Sequence, residues 1–219
     1  MTESGVAGWA SGETDGGAGS SFDRMAGWSA LLAGVGGLAY AISFFIIKDA
    51  RLWAFFLTVS PLFATVALVA VYQRLRAVDG GLALFVLLIG FVSGIGASIH
   101  GGYDLALAIN PVAGATILPA SPVDPRGLLT FGLSGVALLG TAWLVARSRE
   151  FPNWVAPLAA LTGIALVATY LGRLVILDAG NILVYGPAAA AGILSSVVYF
   201  GLGLWLLGWA FERRGATAA

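Results

Sequence analysis

Residues Gly81–Ile109 read GLALFVLLIGFVSGIGASIHGGYDLALAI, an apolar run whose only histidine and only charged side chain are His100 and Asp104. A helix that crosses the hydrocarbon core of a bilayer needs about 20 mostly apolar residues, because each residue rises about 1.5 Å. An open strand is excluded, since lipid cannot satisfy its free backbone groups. The run therefore predicts a transmembrane helix.

Five further apolar runs accompany this one, and together they predict an all-α, polytopic membrane protein built as a bundle of six transmembrane helices. Their bounds are Met25–Ile47, Leu52–Tyr72, Gly127–Ala146, Trp154–Leu177 and Pro187–Phe211. The composition agrees, with 59% hydrophobic and 10% charged residues. A soluble domain carries about 25% charged residues, because water must cover its surface.

The composition also excludes several classes of function. The chain has no cysteine and one histidine, which rules out disulfides, thiolate metal sites and multi-histidine zinc or haem sites within one chain. The formal net charge is zero, which argues against a nucleic-acid partner. The single lysine, Lys48, falls in the first loop and not in a late span, so a retinal Schiff base is excluded. We expect no metal and no cofactor.

The distribution of basic residues predicts the orientation of the bundle. Short cytoplasmic loops are enriched in Lys and Arg. The side of the N-terminus carries Arg24, Arg74, Arg76, Arg147, Arg149, Arg213 and Arg214, whereas the other side carries Lys48, Arg51 and Arg126. We therefore expect a multi-pass protein of the bacterial inner (plasma) membrane with cytoplasmic termini. Residues 1–24 are predicted to be a disordered cytoplasmic tail, residues 25–212 the transmembrane domain, and residues 213–219 a second cytoplasmic tail.

A few ionisable side chains fall inside the spans, where their cost makes them candidates for function. His100 and Asp104 are four residues apart and share one helix face, with Tyr103 beside them, while Arg173 and Asp178 lie near the outer end of the fifth span. In one interpretation these residues line an outer cavity that binds an anionic headgroup or carboxylate. In the other, Arg173 snorkels to lipid headgroups, Asp104 caps a helix end and His100 makes one interhelical hydrogen bond.

Stripes of small residues at helical spacing predict close helix packing, because lipid gives helices no hydrophobic reason to associate. They are Gly90, Gly94, Ala97 and Gly101 on the third span, Ala33, Gly37 and Ala41 on the first, and Ala188, Gly192 and Ser196 on the sixth. Contacts within one chain are the simpler interpretation, and a homodimer face is the alternative.

The sequence Gly132-Leu133-Ser134-Gly135 on the fourth span resembles the GxSG motif of rhomboid intramembrane serine proteases, which also have a six-helix core. The resemblance implies Ser134 as a nucleophile with His100 as its base. The rhomboid catalytic histidine lies on the sixth span, where this chain has none. Small residues at a helix crossing are the alternative interpretation.

The chain as a whole resembles small bacterial six-span membrane proteins, a family with a domain of unknown function of about this length. The features that carry the resemblance are Leu31–Leu38, the segment 149–154 that starts the fifth span, and the terminal YFGLGLWLL at 199–207. The resemblance implies a bacterial inner-membrane location and no particular activity.

Three functions follow as hypotheses. The first is a non-enzymatic protein that binds a lipid or small amphiphile in an outer-leaflet cavity or serves as a subunit of a membrane complex, with the bilayer, a membrane protein or a second copy as its partner. The second is an intramembrane enzyme that uses His100 with Asp104 or Ser134. The third is a small-solute transporter, which the lack of polar groups at mid-membrane disfavours.

Overall fold

The computed structural model describes residues 17–114, 125–176 and 181–217, and every regular element in these ranges is a helix. The main helices are α1 (Gly17–Ile42), α2 (Ala50–Leu75), α3 (Gly80–Ile109), α4 (Ser134–Val145), α5 (Val155–Val175) and α6 (Ile182–Thr217). A π-helical segment, Ser43–Ile47, extends α1. The short helix Pro125–Gly127 and a second π-helical segment, Leu128–Leu133, lead into α4. Six stretches are long and apolar enough to cross a membrane, which confirms the six-span prediction.

Side-chain caps set the starts of three helices. The Asp49 carboxylate accepts hydrogen bonds from the backbone N–H groups of Arg51 and Leu52 at 2.9 and 3.1 Å, and Asp79 accepts one from Leu82 at 2.9 Å. Asn181 accepts one from the N–H of Leu183 at 3.0 Å. Such caps satisfy N–H groups that the first helical turn leaves without partners.

Three of the predicted boundaries differ from the structure. Because Asn181 caps α6, this helix begins at Ile182, so Pro187, where the predicted span starts, lies inside the helix. Helix α1 begins at Gly17, within the stretch 1–24 that was assigned to the tail, and α6 continues past residue 213 to Thr217. The polar residues that flank both apolar runs therefore extend the helices beyond the hydrophobic segments.

The six spans form a closed ring. Each packs against its neighbours along the chain, and α6 returns to pack along α1. These two helices are antiparallel and close together, since Gly27 of α1 lies against Gly203 of α6 and Gly34 lies against Phe200. The start of α1 and the end of α6 therefore meet at one end of the bundle, which we call the proximal end. The opposite end is the distal end.

The ring has large apolar side chains outside and small ones inside. Leu88, Ile164 and Leu204 are more than half exposed on its outer surface, where lipid is the solvent. Part of the predicted small-residue stripes packs against neighbouring helices, as Gly101 does against α2. Ala33, Gly37 and other stripe residues instead line the interior. An inner wall of small residues leaves the centre of the ring empty.

Two adjacent glycines on α3 give a direct test of the packing between α2 and α3. A Cβ atom on Gly101 would lie 2.5 Å from the amide nitrogen of Thr58 and 2.8 Å from the carbonyl oxygen of Ala54, whereas one on Gly102 would meet nothing within 4 Å. We expect Gly101→Ala to lower the free energy of unfolding by about 1–3 kcal/mol. Gly102→Ala should leave it unchanged or raise it by up to about 1 kcal/mol, because alanine favours helix. Equal thermal midpoints for the two variants in one detergent would contradict this packing.

Candidate functional site

The ring surrounds a partly open central cavity of about 640 Å³ to which all six spans contribute. This volume lies within the range of about 300–1,000 Å³ that is usual for small-molecule sites. Much of the wall consists of small residues, among them Ala33, Gly37, Ala64, Gly90, Gly94, Ala97, Ala137, Ala188 and Gly192. Within the closed ring these residues explain the cavity, because no side chain at these positions is long enough to reach the centre.

A polar cluster lies in the distal half of the cavity wall. The Nδ1 atom of His100 is 3.0 Å from the hydroxyl oxygen of Thr130, and its Nε2 atom is 3.2 Å from Oδ2 of Asp104. Arg126 donates a hydrogen bond of 3.0 Å to Oδ1 of Asp104. The distance between His100 and Asp104 is short enough for a hydrogen bond, but the angles at the two atoms are not those of one. Oδ2 of Asp104 therefore has no hydrogen-bond donor among the described residues. We regard this contact as electrostatic.

Helical periodicity explains why these groups converge. Ser93, Ala97, His100 and Asp104 follow one another at spacings of four, three and four residues, so they share the face of α3 that lines the cavity. The π-helical segment before α4 supplies Thr130 to the same wall. π-helical turns are rare in proteins, and those that occur are often at functional sites.

Arg173 is the second charged residue of the cavity wall, besides Asp104. It is half-buried near the C-terminal end of α5, where the helix dipole favours a cation. It forms no ion pair or hydrogen bond with any residue in the described ranges. Tyr40, Asp104 and Arg173 all line the cavity.

Five aromatic side chains of the cavity wall form what we call the aromatic collar: Tyr40, Phe44, Phe45, Trp53 and Tyr185. They belong to α1 with its π-helical extension, to the first turns of α2 and to those of α6, at the distal end. Phe44 and Trp53 meet edge to face with ring centroids 5.5 Å apart, and Phe45 meets Tyr185 at 4.8 Å. Edge-to-face pairs of this kind stabilise by more than the burial of their area alone.

The structure brings three of the five predicted ligand-binding residues to one cavity: His100, Asp104 and Arg173. Tyr103 is 49% exposed and does not line the cavity; its ring lies 4.8 Å from the guanidinium of Arg126. Asp178 lies outside the described residues. Asp104 is fully buried, and α3 continues beyond it to Ile109, so the alternative interpretation of Asp104 as a helix-end cap is wrong.

Ser134 lies on the cavity wall, but it is hydrogen-bonded to the hydroxyl of Ser93 and not to His100. The nitrogens of the imidazole contact Thr130 and Asp104 instead. A serine nucleophile needs its base within hydrogen-bonding reach. The structure therefore does not form the arrangement that the GxSG resemblance implies.

Sequence reasoning missed an ion pair at the proximal end. Arg74 donates a hydrogen bond of 2.7 Å to Asp23, and both side chains are only 5% exposed. The guanidinium also donates to the carbonyl oxygen of Ala70 and lies 5.3 Å from the ring of Trp205. Asp23 had been assigned to the tail and Arg74 to a basic rim. The pair could have been predicted from the sequence, because an acidic and a basic residue lie at the same end of two consecutive spans.

Comparison of the chain with protein-family models, with curated proteins and with solved structures gives no match. The two sequence resemblances therefore remain predictions.

Proposed function

We propose that this protein binds a lipid or small amphiphile in its central cavity. The observation that carries the proposal is the combination of a cavity of about 640 Å³ with a largely apolar wall and a distal half that holds Arg173 and the cluster around Asp104. An amphiphile gains free energy when its apolar part leaves water, and its polar part fixes its orientation in such a site. A purely polar solute would find few partners along most of this wall.

Two alanines on α6 provide a matched test of the cavity as the binding site. Ala188 lines the cavity, whereas Ala190 faces outward and is exposed. We expect Ala188→Phe to weaken binding at least tenfold, about 1.4 kcal/mol, because the new ring occupies ligand space. Ala190→Phe should bind as the unaltered protein does. The measurement is native mass spectrometry of each variant after incubation with dodecanoate, dodecanol and dodecylphosphocholine.

Equal retention of these amphiphiles by both variants would contradict binding in the cavity. A thermal unfolding curve for each variant shows that it is folded before its binding is compared.

A role as a subunit of a membrane complex makes a different prediction, namely co-purification of a stoichiometric partner in mild detergent. Binding of the amphiphile requires no such partner.

We further propose that the proximal end faces the cytoplasm of a bacterial cell and that the cavity's polar cluster lies in the outer leaflet, as the excess of arginine at the proximal end favours. The chain has no cysteine, so single-cysteine variants need no other change. Lys48 and Arg76 are exposed at opposite ends. We expect a membrane-impermeant maleimide to label Lys48→Cys on intact cells and to spare Arg76→Cys until the cells are opened. The reverse pattern would overturn the orientation.

A further inference from the structure

We propose that the ligand is a single-chain amphiphile with one negative charge, such as an alkyl carboxylate. Its headgroup binds Arg173 beside the aromatic collar, and its chain extends through the cavity toward the proximal end. This inference rests on the proposed function and specifies the class of ligand.

The charge of the cavity wall selects the headgroup. Among the described residues, the charged side chains of the wall are Asp104 and Arg173. Asp104 is already compensated, because Arg126 donates to one of its oxygens and His100 lies beside the other. Arg173 has no counter-ion in the same ranges. The described part of the wall therefore carries one positive charge without a counter-ion, which a single negative charge on the ligand would balance.

The side chain of arginine suits such a headgroup. Its planar guanidinium forms two parallel hydrogen bonds with a carboxylate or a phosphate oxygen pair. Such bonds are stronger in a site from which most water is excluded. A quaternary ammonium group would favour the aromatic collar, but Arg173 would repel it.

The remaining wall suits an alkyl chain, although several hydroxyl groups line it. Four of these hydroxyls donate to the carbonyl oxygen four residues earlier in their own helix: Ser60 to Phe56, Thr141 to Ala137, Thr169 to Ala165 and Ser196 to Gly192. The distances are between 2.7 and 2.9 Å. Because their hydrogen atoms are committed to the backbone, these groups demand no partner from a ligand.

The volume suits a ligand with one chain. The cavity of about 640 Å³ lies within the range of about 300–1,000 Å³ that is usual for small-molecule sites. One alkyl chain with a small headgroup fits this space.

The test compares three dodecyl compounds that differ only in headgroup: dodecanoate, dodecanol and dodecylphosphocholine. Binding of tritiated dodecanoate is measured for the full chain in lipid nanodiscs, and the other two compounds compete with it. We expect dodecanoate to bind at least tenfold more tightly than either competitor, because hydrogen bonds to charged groups exceed neutral ones.

Arg173→Gln should weaken dodecanoate binding by about tenfold to a hundredfold. Its affinity for dodecanol should stay within about threefold of that of the unaltered protein. Retained binding of dodecanol also shows that the variant is folded. Arg173→Lys keeps the charge but loses the planar pair of donors, so its affinity for dodecanoate should lie between those of the unaltered protein and Arg173→Gln. Arg51→Gln is the matched control, since Arg51 is exposed at the same end and does not line the cavity.

Equal affinities for dodecanoate and dodecanol, or an equal loss of both in Arg173→Gln, would overturn this inference but leave amphiphile binding in place. Tighter binding of dodecylphosphocholine would also overturn it. Failure of the proposed function has a different signature, because Ala188→Phe would then bind all three compounds as the unaltered protein does.

Discussion

Replacing Arg74 by methionine is expected to lower the free energy of unfolding by about 3–5 kcal/mol. Removal of one partner from a buried ion pair has this cost, because the other charge remains in a poorly solvated site. Asp23 would be that charge, since its side chain is 5% exposed and Arg74 lies 2.7 Å away. Loss of the contact between the guanidinium and Trp205 adds to the effect.

The neighbouring arginine offers the control for this variant. Arg76 lies two residues further along and is exposed, so Arg76→Met should change the stability by less than about 0.5 kcal/mol. The double variant Asp23→Leu with Arg74→Met removes both charges and should recover much of the loss, as apolar replacements of buried pairs do. Unfolding in mixed micelles measures all of these variants. A double variant no more stable than Arg74→Met would contradict the proposed cause.

The second large effect is expected for Arg126→Gln, and it should exceed that of Asp104→Asn. Asp104 is fully buried, whereas the side chain of Arg126 is 18% exposed. Removing Arg126 leaves a buried carboxylate beside His100, at a cost of about 3–5 kcal/mol. Removing the charge of Asp104 leaves a guanidinium that can extend along its alkyl stem toward water or headgroups, so the loss is smaller.

A charge-matched variant separates this effect from a general loss of positive charge at the distal end. Arg51 is exposed at the same end and donates at 3.3 Å to the carbonyl oxygen of Ala108, so Arg51→Gln should cost no more than about 1 kcal/mol. The same unfolding measurement applies. A larger loss for Asp104→Asn than for Arg126→Gln would show that the burial of Asp104 does not govern the stability of this cluster.

The number of spans was predictable because membrane thickness converts directly into the length of an apolar run. The residue at which each helix starts or ends was less predictable from the sequence. Helices α1 and α6 extend into polar sequence that hydropathy assigned to tails, from Gly17 and to Thr217. The start of α6 depends on a single capping side chain, Asn181, which decides whether Pro187 is in the first turn.

The candidate site was predictable only where its members share a helix. His100 and Asp104 were found because a spacing of four residues places them on one face. Arg126 and Thr130 reach the same cluster from the fourth span, after a long connection whose path no sequence rule gives. An outer cavity was one interpretation of these polar residues, but its extension through the centre of the bundle was not predicted. The same small residues serve equally for helix contacts and for a central space, and only the closure of the ring distinguishes these outcomes.

Closure of the ring by α1 and α6 also has a consequence for synthesis. Helix α1 is made before the other five spans, yet one of its two neighbours in the ring is α6, which is made after them. Until α6 inserts, α1 exposes to the bilayer the glycines that it later packs against α6, including Gly27 and Gly34. Before α6 inserts, the nascent chain therefore lacks one wall of the cavity, and the proposed ligand can bind in the complete cavity only after α6 is in place.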